Sequence, residues 1–75
     1  MDKFVVILFD ENFEEVGSFV GKRASVVIRA ADVVANSIPG DVTYFTNIPQ
    51  EAVQEYDLKN RVSLRHKPLR DLRRV

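Results

Sequence analysis

The run FVVILF at residues 4–9 most constrains the fold of this chain, because six consecutive apolar residues must be buried on more than one side. The run is rich in β-branched and aromatic residues and has no helical period. It ends at the turn-forming residues Asp10, Glu11 and Asn12. These features predict a strand that is buried on both faces, or nearly so. The run is too short for a membrane span, which takes about 20 residues, and for an export signal, so neither is expected.

The residues after this strand predict a β-hairpin. Residues 16–20 form a second predicted strand, in which Gly17 marks a weak position or a bulge. The connector, residues 10–15, is polar and turn-forming apart from Phe13. We therefore predict a hairpin over residues 3–21.

Residues 23–38 carry the clearest helical pattern of the chain. Val26, Ala30 and Val33 widen an apolar face whose opposite side is polar. Because the many valines lower helix propensity, the helix is expected to need a sheet to pack on. The apolar stripe itself follows spacings of three and four residues and consists of Ala24, Val27, Ile28, Ala31, Val34, Ala35 and Ile38.

A Pro–Gly pair separates this helix from the second half of the chain. Pro39 and Gly40 occupy the two central positions of a predicted type II turn, in which glycine supplies a positive φ. Residues 42–46 (VTYFT) then predict a third strand. Residues 49–57 predict a short second helix, and Asn47 is its predicted cap.

The last predicted strand is residues 61–65, in which Val62 and Leu64 are expected to face the core. Pro68 is expected to break this segment. The residues after it predict one or two further helical turns, because apolar residues recur there at every third position: Leu69, Leu72 and Val75.

These elements predict an α+β fold, a small two-layer domain. An N-terminal β-hairpin and further, mainly antiparallel strands are packed by one main helix (about 23–38) and a short second helix (about 49–57). Residues 1–75 form a single domain, and residues 67–75 form a basic C-terminal tail that either docks on the domain or becomes ordered on a partner.

The size of the chain points to a partner. A chain of 75 residues buries roughly 60% of the surface that its unfolded form exposes, so its stability is marginal. There is no cysteine and only one histidine, which excludes disulfides and sites with several cysteine or histidine ligands. A homodimer or a bound partner is the remaining source of stability. The absence of cysteine also fits a reducing cytoplasm, which is the expected location.

Charge is distributed unevenly along the chain. Residues 1–58 contain ten acidic and four basic residues, a net −6, whereas residues 59–75 contain one acidic and seven basic residues, a net +6. An acidic surface with a basic tail is one interpretation, and neutralisation of one segment by the other is the alternative.

The sequence offers little catalytic chemistry. The segment from Gly17 to Arg23 has three residues between its glycines where a phosphate-binding P-loop needs four, and Arg23 replaces the hydroxyl residue. Lys22 and Arg23, before the helix, remain candidates for holding an anion. His66 is the one side chain that ordinarily titrates near neutrality, and a histidine in this position, close to Pro68, is typical of a surface. We expect no enzymatic activity, no cofactor and no metal.

The acidic residues of the hairpin connector are a second candidate contact. A calcium site is not expected there, because these residues lack the alternating oxygen ligands of a calcium-binding loop. We expect instead that the hairpin tip is solvated.

The basic segment is the strongest candidate site. Arginine predominates there, and its guanidinium group suits bidentate contacts to carboxylate or phosphate. We expect a small regulatory or inhibitory protein that binds a larger protein; a nucleic-acid-binding module is the alternative, although no aromatic residue lies among the bases. The predicted partner-binding residues are Arg61, Arg65, Lys67, Leu69, Arg70, Leu72, Arg73 and Arg74. The two leucines either reach a partner or pack on their own sheet.

Overall fold

The fold is given by a computed structural model, which describes residues 3–49, 51–52 and 64–72. It confirms the predicted α+β class, with a four-stranded mixed sheet packed against one main helix. The elements in chain order are strand β1 (Phe4–Phe9), strand β2 (Glu15–Gly21), helix α1 (Ala24–Ala35), strand β3 (Val42–Thr46), strand β4 (Leu64–Pro68) and a 3-10 helix (Leu69–Asp71).

The sheet has the strand order β2-β1-β3-β4, so β1 and β3 are central and β2 and β4 form the edges. β1 pairs with both β2 and β3 in antiparallel orientation, which confirms the predicted hairpin. The register of β1 and β2 shifts between Leu8 and Phe9: Leu8 pairs with Gly17, but Phe9 pairs with Glu15. This irregularity matches the bulge expected near Gly17. β3 and β4 pair in parallel, a pairing that the sequence pattern did not specify.

Helix α1 covers one face of the sheet and forms the main core with it. Side chains of β1 and β3 that point to this face meet the buried stripe of the helix. The fully or nearly fully buried members are Val6, Leu8, Val27, Ile28, Ala31, Ala35, Val42, Tyr44 and Ile48.

A smaller cluster on the other face buries the remaining side chains of β1. Ile7, Phe9 and Phe45 form its centre. Phe13, from the hairpin connector, stacks on Phe9 with ring centroids 4.7 Å apart. Both faces of β1 are therefore covered, as the six-residue apolar run predicts.

Helix α1 is shorter than the predicted 23–38. It ends at Ala35, and the chain then turns through short-range bonds in which the N–H groups of Ser37 and Ile38 donate to Val34 and Ala35. Ile38 precedes Pro39, a position where the helical conformation is sterically disfavoured. Gly40 has a φ of 81°, the positive value that the predicted turn requires.

The strand that the sequence predicts at residues 61–65 is observed as β4, Leu64–Pro68, so it runs three residues further than predicted and ends at Pro68, where the sequence predicts a break. Pro68 is the last strand residue, and β4 is an edge strand, where a missing N–H is tolerated. Residues 61–63 lie outside the described part. Of the predicted second helix, Glu51 and Ala52 are described and helical.

Candidate protein-binding surface

The described part of the basic segment consists of β4, at one edge of the described sheet, and the 3-10 helix that follows it. Arg65 pairs with Thr43 of β3, and Lys67 pairs with Phe45. The Lys67 side chain is exposed, as is that of Arg70 in the 3-10 helix. The predicted site residues Arg61, Arg73 and Arg74 lie outside the described residues.

The two leucines of the segment lie against the chain's own sheet. Leu69 and Leu72 are half-buried and pack against the cluster of Ile7, Phe9 and Phe45. Leu72 also closes the 3-10 helix, since its N–H donates to the Leu69 carbonyl at 3.0 Å. Of the two arrangements considered for these residues, the structure has the one in which they pack on their own sheet. Arg70 therefore lies on a segment fixed on both sides by leucine.

A groove of about 470 Å³ opens where β3 and β4 end. Its walls are apolar or uncharged apart from Arg70, whose guanidinium can form a bidentate pair with a carboxylate. Its lining residues are Thr46, Asn47, Ile48, Pro49, Pro68, Leu69 and Arg70.

Hydrogen bonds hold one wall of this groove in place. Asn47 Oδ1 accepts from the Val5 N–H at 2.9 Å, and Asn47 Nδ2 donates to the Lys3 carbonyl at 3.0 Å. Thr46 Oγ1 donates to the Val5 carbonyl and accepts from the Ile48 N–H. The sequence predicted that Asn47 caps the second helix; its side chain instead bonds to the backbone of β1.

The other residues that the sequence suggested as possible sites lie apart from this groove or serve the fold. Asp10 Oδ1 accepts from the N–H groups of Asn12 and Glu14, so this carboxylate shapes the hairpin turn. His66 lies in β4 opposite Tyr44. Lys22 and Arg23 are exposed between β2 and α1. Within the described residues, no group of three or more histidine, cysteine or acidic residues could hold a metal ion.

Sequence reasoning missed a second surface. It placed Val26, Ala30 and Val33 on a widened core-facing stripe, whereas the structure exposes all three. A helix on a sheet buries only one side, and Ala24, Val27, Ile28, Ala31 and Ala35 already fill that side. The sequence did contain a signal for this surface, because the apolar stripe of the helix is wider than the side that a sheet can bury. Val26 and Ala30 line a groove of about 420 Å³ between α1 and β2.

Comparisons with protein-family models, curated proteins and solved structures gave no match to this chain. None of the helices among the described residues is long and apolar enough to cross a membrane. A proposal of function therefore depends on the surfaces described above.

Proposed function

We propose that this chain is a small regulatory or inhibitory binding domain, which acts by contact with a larger protein and not by catalysis. The arginine-rich C-terminal segment makes the contact, and an acidic segment of the partner is its target. The observation that carries the proposal is the position of Arg70, exposed on a leucine-anchored segment beside a groove with apolar walls.

The chemistry of the groove suits an acidic peptide. A guanidinium fixed beside an apolar wall can pair with a carboxylate while the wall takes up a neighbouring apolar side chain. Lys67 adds positive charge on the same edge of the sheet. The predicted contact residues Arg61, Arg73 and Arg74, which lie outside the described part, add three further positive charges to this segment of the sequence.

The groove suits protein better than nucleic acid. Non-specific binding of single strands uses aromatic side chains on which bases stack, and none of the described residues that line the groove is aromatic. The whole chain has a net charge of zero, so long-range attraction to a polyanion is weak.

The test compares two charge-reversed variants in affinity capture from the protein's native cells, with quantitative mass spectrometry. The test variant carries Lys67→Glu and Arg70→Glu. The control carries Lys3→Glu and Arg29→Glu, which changes the net charge equally at exposed positions outside the basic segment and outside the lining of the groove. We expect a specific set of proteins that the wild type and the control retain and the test variant loses.

Two results would contradict the proposal. Capture of the same proteins by all three forms would remove the basic segment from the mechanism. A mobility shift of DNA or RNA at low salt that Lys67→Glu with Arg70→Glu abolishes, without any retained protein, would make nucleic acid the target.

A further inference from the structure

The edge of the sheet at β2 is chemically unlike the edge at β4. β2 is seven residues long and stands at the end of the strand order. Lysine and proline protect edge strands from pairing with other chains, and β4 carries both, as Lys67 and Pro68. β2 contains neither, and its sequence is EVGSFVG. The β2 edge is therefore the one suited to pairing with another strand.

Hydrogen bonds of Val5 fix the direction of the backbone groups in β1. The Val5 N–H donates to Asn47 Oδ1, and the Val5 carbonyl accepts from Thr46 Oγ1. Both acceptor and donor lie at the end of β3, so the backbone groups of Val5 point towards β3. Because successive residues of a strand point their backbone groups to alternate sides, those of Val6 and Leu8 point towards β2.

The same alternation shows which backbone groups of β2 point away from β1, at the edge of the described sheet. Val6 pairs with Phe19, whose backbone groups therefore point back towards β1. The N–H and C=O groups of the neighbouring residues, Ser18 and Val20, point away from the sheet. The middle of β2 thus presents a donor and an acceptor at each alternate residue to an incoming strand.

Exposed apolar residues are concentrated on β2 and on the exposed side of α1. All five large apolar side chains that are exposed in the described part of the chain lie on β2, on the turn before it or on α1. Two of them, Val26 and Val33, share a face of α1 with Ala30 at helical spacings of four and three. The five, with their exposed fractions, are Phe13 (58%), Val16 (37%), Val20 (59%), Val26 (58%) and Val33 (72%).

Charges at the two ends of β2 make the strand complementary to itself. Glu14 precedes the strand, and Lys22 and Arg23 follow it; all three are exposed. In an antiparallel pair of two such strands, the acidic start of one lies beside the basic end of the other. A parallel pair would instead bring like charges together, which is unfavourable.

We propose that two copies of this chain form a homodimer through their β2 edges, antiparallel and related by a two-fold axis at Ser18. This register places Val16 of each chain opposite Val20 of the other, and it brings Glu14, which lies beyond the bulge of β2, near Lys22. A shift that centres the pair on Phe19 would put Val16 opposite Lys22 and lose the apolar pair. The product is a continuous eight-stranded sheet with isologous contacts.

The two helices fit the same dimer. A two-fold axis perpendicular to the sheet keeps both copies of α1 on one face. α1 packs on β1 and β2, about one strand spacing from the axis, so the two helix axes come about 10 Å apart. That is about the distance at which helices pack, roughly 8–10 Å. Ala30 then lies near the axis, and Val26 of one chain lies near Val33 of the other.

The first test measures the mass of the wild-type protein by light scattering and sedimentation over a range of concentrations. A dimer is expected, and a monomer at every concentration up to about 500 μM would overturn the proposal. Val20→Lys and Ser18→Pro should each give a monomer, because they place a charge or remove an N–H at the open edge. Lys67→Glu, on the other edge of the sheet, is the control and should leave the dimer intact.

The second test uses the charges. Glu14→Lys and Lys22→Glu should each raise the dimer dissociation constant about tenfold or more, since each brings two pairs of like charges together. An equimolar mixture of these two variants should associate as well as the wild type, because every contact between the unlike chains is again complementary. The double variant should also recover.

Circular dichroism and thermal unfolding check that each variant is folded. If one of the four single variants does not fold, the other three test the proposed interface. A dimer that survives Val20→Lys or Ser18→Pro in a folded protein, or a mixture of the two charge variants that does not associate, would place the interface elsewhere.

Discussion

The side chain of Asn47 holds the backbone of Val5, with Asn47 Oδ1 2.9 Å from the Val5 nitrogen. These residues are 42 positions apart in the chain. β3 ends at Thr46, so the amide of Asn47 continues the pairing of β3 with β1 past the last strand residue. Its Nδ2 donates to the Lys3 carbonyl at 3.0 Å and lengthens the pairing by one more bond.

Asn47→Ala is expected to lower the free energy of unfolding by about 1–2 kcal/mol, because it removes two hydrogen bonds and leaves the half-buried Val5 N–H without its acceptor. Asn47→Asp keeps the acceptor for Val5 and loses the donor to Lys3, so an intermediate loss is expected. Urea unfolding measures both. Asn36→Ala, at an exposed position, is the control and should change stability by less than about 0.5 kcal/mol. Equal losses in Asn47→Ala and Asn36→Ala would contradict this role.

The prediction for Asn47 shows where sequence reasoning ended. The sequence predicts that Asn47 caps the second helix, because Gln50 follows three positions later and the sequence shows only such local spacings. The actual partner, the backbone of Val5, becomes a neighbour only after β1 and β3 pair. Local patterns located β1, the hairpin and β3, since their bounds depend on apolar runs and turn residues. The parallel pairing of β4 with β3 depends on contacts between distant segments, and no local pattern encodes it.

Phe13 combines an unfavourable backbone with favourable ring contacts. Its φ is 59°, in the left-handed region that costs a non-glycine residue roughly 1 kcal/mol or more. Its ring stacks on Phe9 and forms a T-shaped contact with Phe45, with ring centroids 5.9 Å apart.

Phe13→Gly is expected to be more stable than Phe13→Ala, by about 1 kcal/mol. Both variants lose the aromatic contacts, but only glycine adopts this φ without cost. Both should be less stable than the wild type in chemical denaturation. Phe13→Ala as stable as Phe13→Gly would mean that the turn rearranges when the ring is removed.

Two constraints favour glycine at position 40, and they are expected to differ in energetic cost. Its φ of 81° is costly for other residues, and an added Cβ would meet the carboxylate of Glu11. The carboxylate is the end of a flexible, exposed side chain that can turn away, whereas the backbone angle cannot relax without moving the turn. The backbone term is therefore expected to dominate.

Gly40→Ala should cost about 1–2 kcal/mol of unfolding free energy. The same substitution in a Glu11→Ala background should recover less than half of that loss. A double-mutant cycle in urea measures the coupling between the two positions. Full recovery in the double variant would make the carboxylate contact, and not φ, the dominant constraint.

The two edges of the sheet are suited to different tasks. The β2 edge carries exposed valines and self-complementary ends, and the β4 edge carries basic residues and a proline. In the proposed dimer the β4 edges lie at opposite ends of eight strands, about 34 Å apart across seven strand spacings. Each dimer would then present two basic segments, so a partner with repeated acidic sites would gain avidity. The charge split along the sequence predicts a basic surface in the C-terminal segment, whereas the exposure of Val26 and Val33 could be known only from the packing of α1.

The position of Arg70 depends on the leucines beside it, and Leu72→Ala tests this dependence. Leu72 is half-buried against the cluster of Ile7, Phe9 and Phe45. Because only part of its side chain is buried, its truncation should cost about 1–2 kcal/mol, at the low end for leucine. Hydrogen exchange at the Leu72 N–H, which bonds to Leu69, should accelerate by a larger factor than exchange at the N–H groups of β1.

The same variant should weaken partner binding while keeping every charge of the segment, since a released segment pays an ordering cost when it binds. Arg29→Ala, exposed on α1, is the matched control and should alter neither stability nor binding. Unchanged exchange and unchanged affinity in Leu72→Ala would show that the docked position of the segment has no part in recognition.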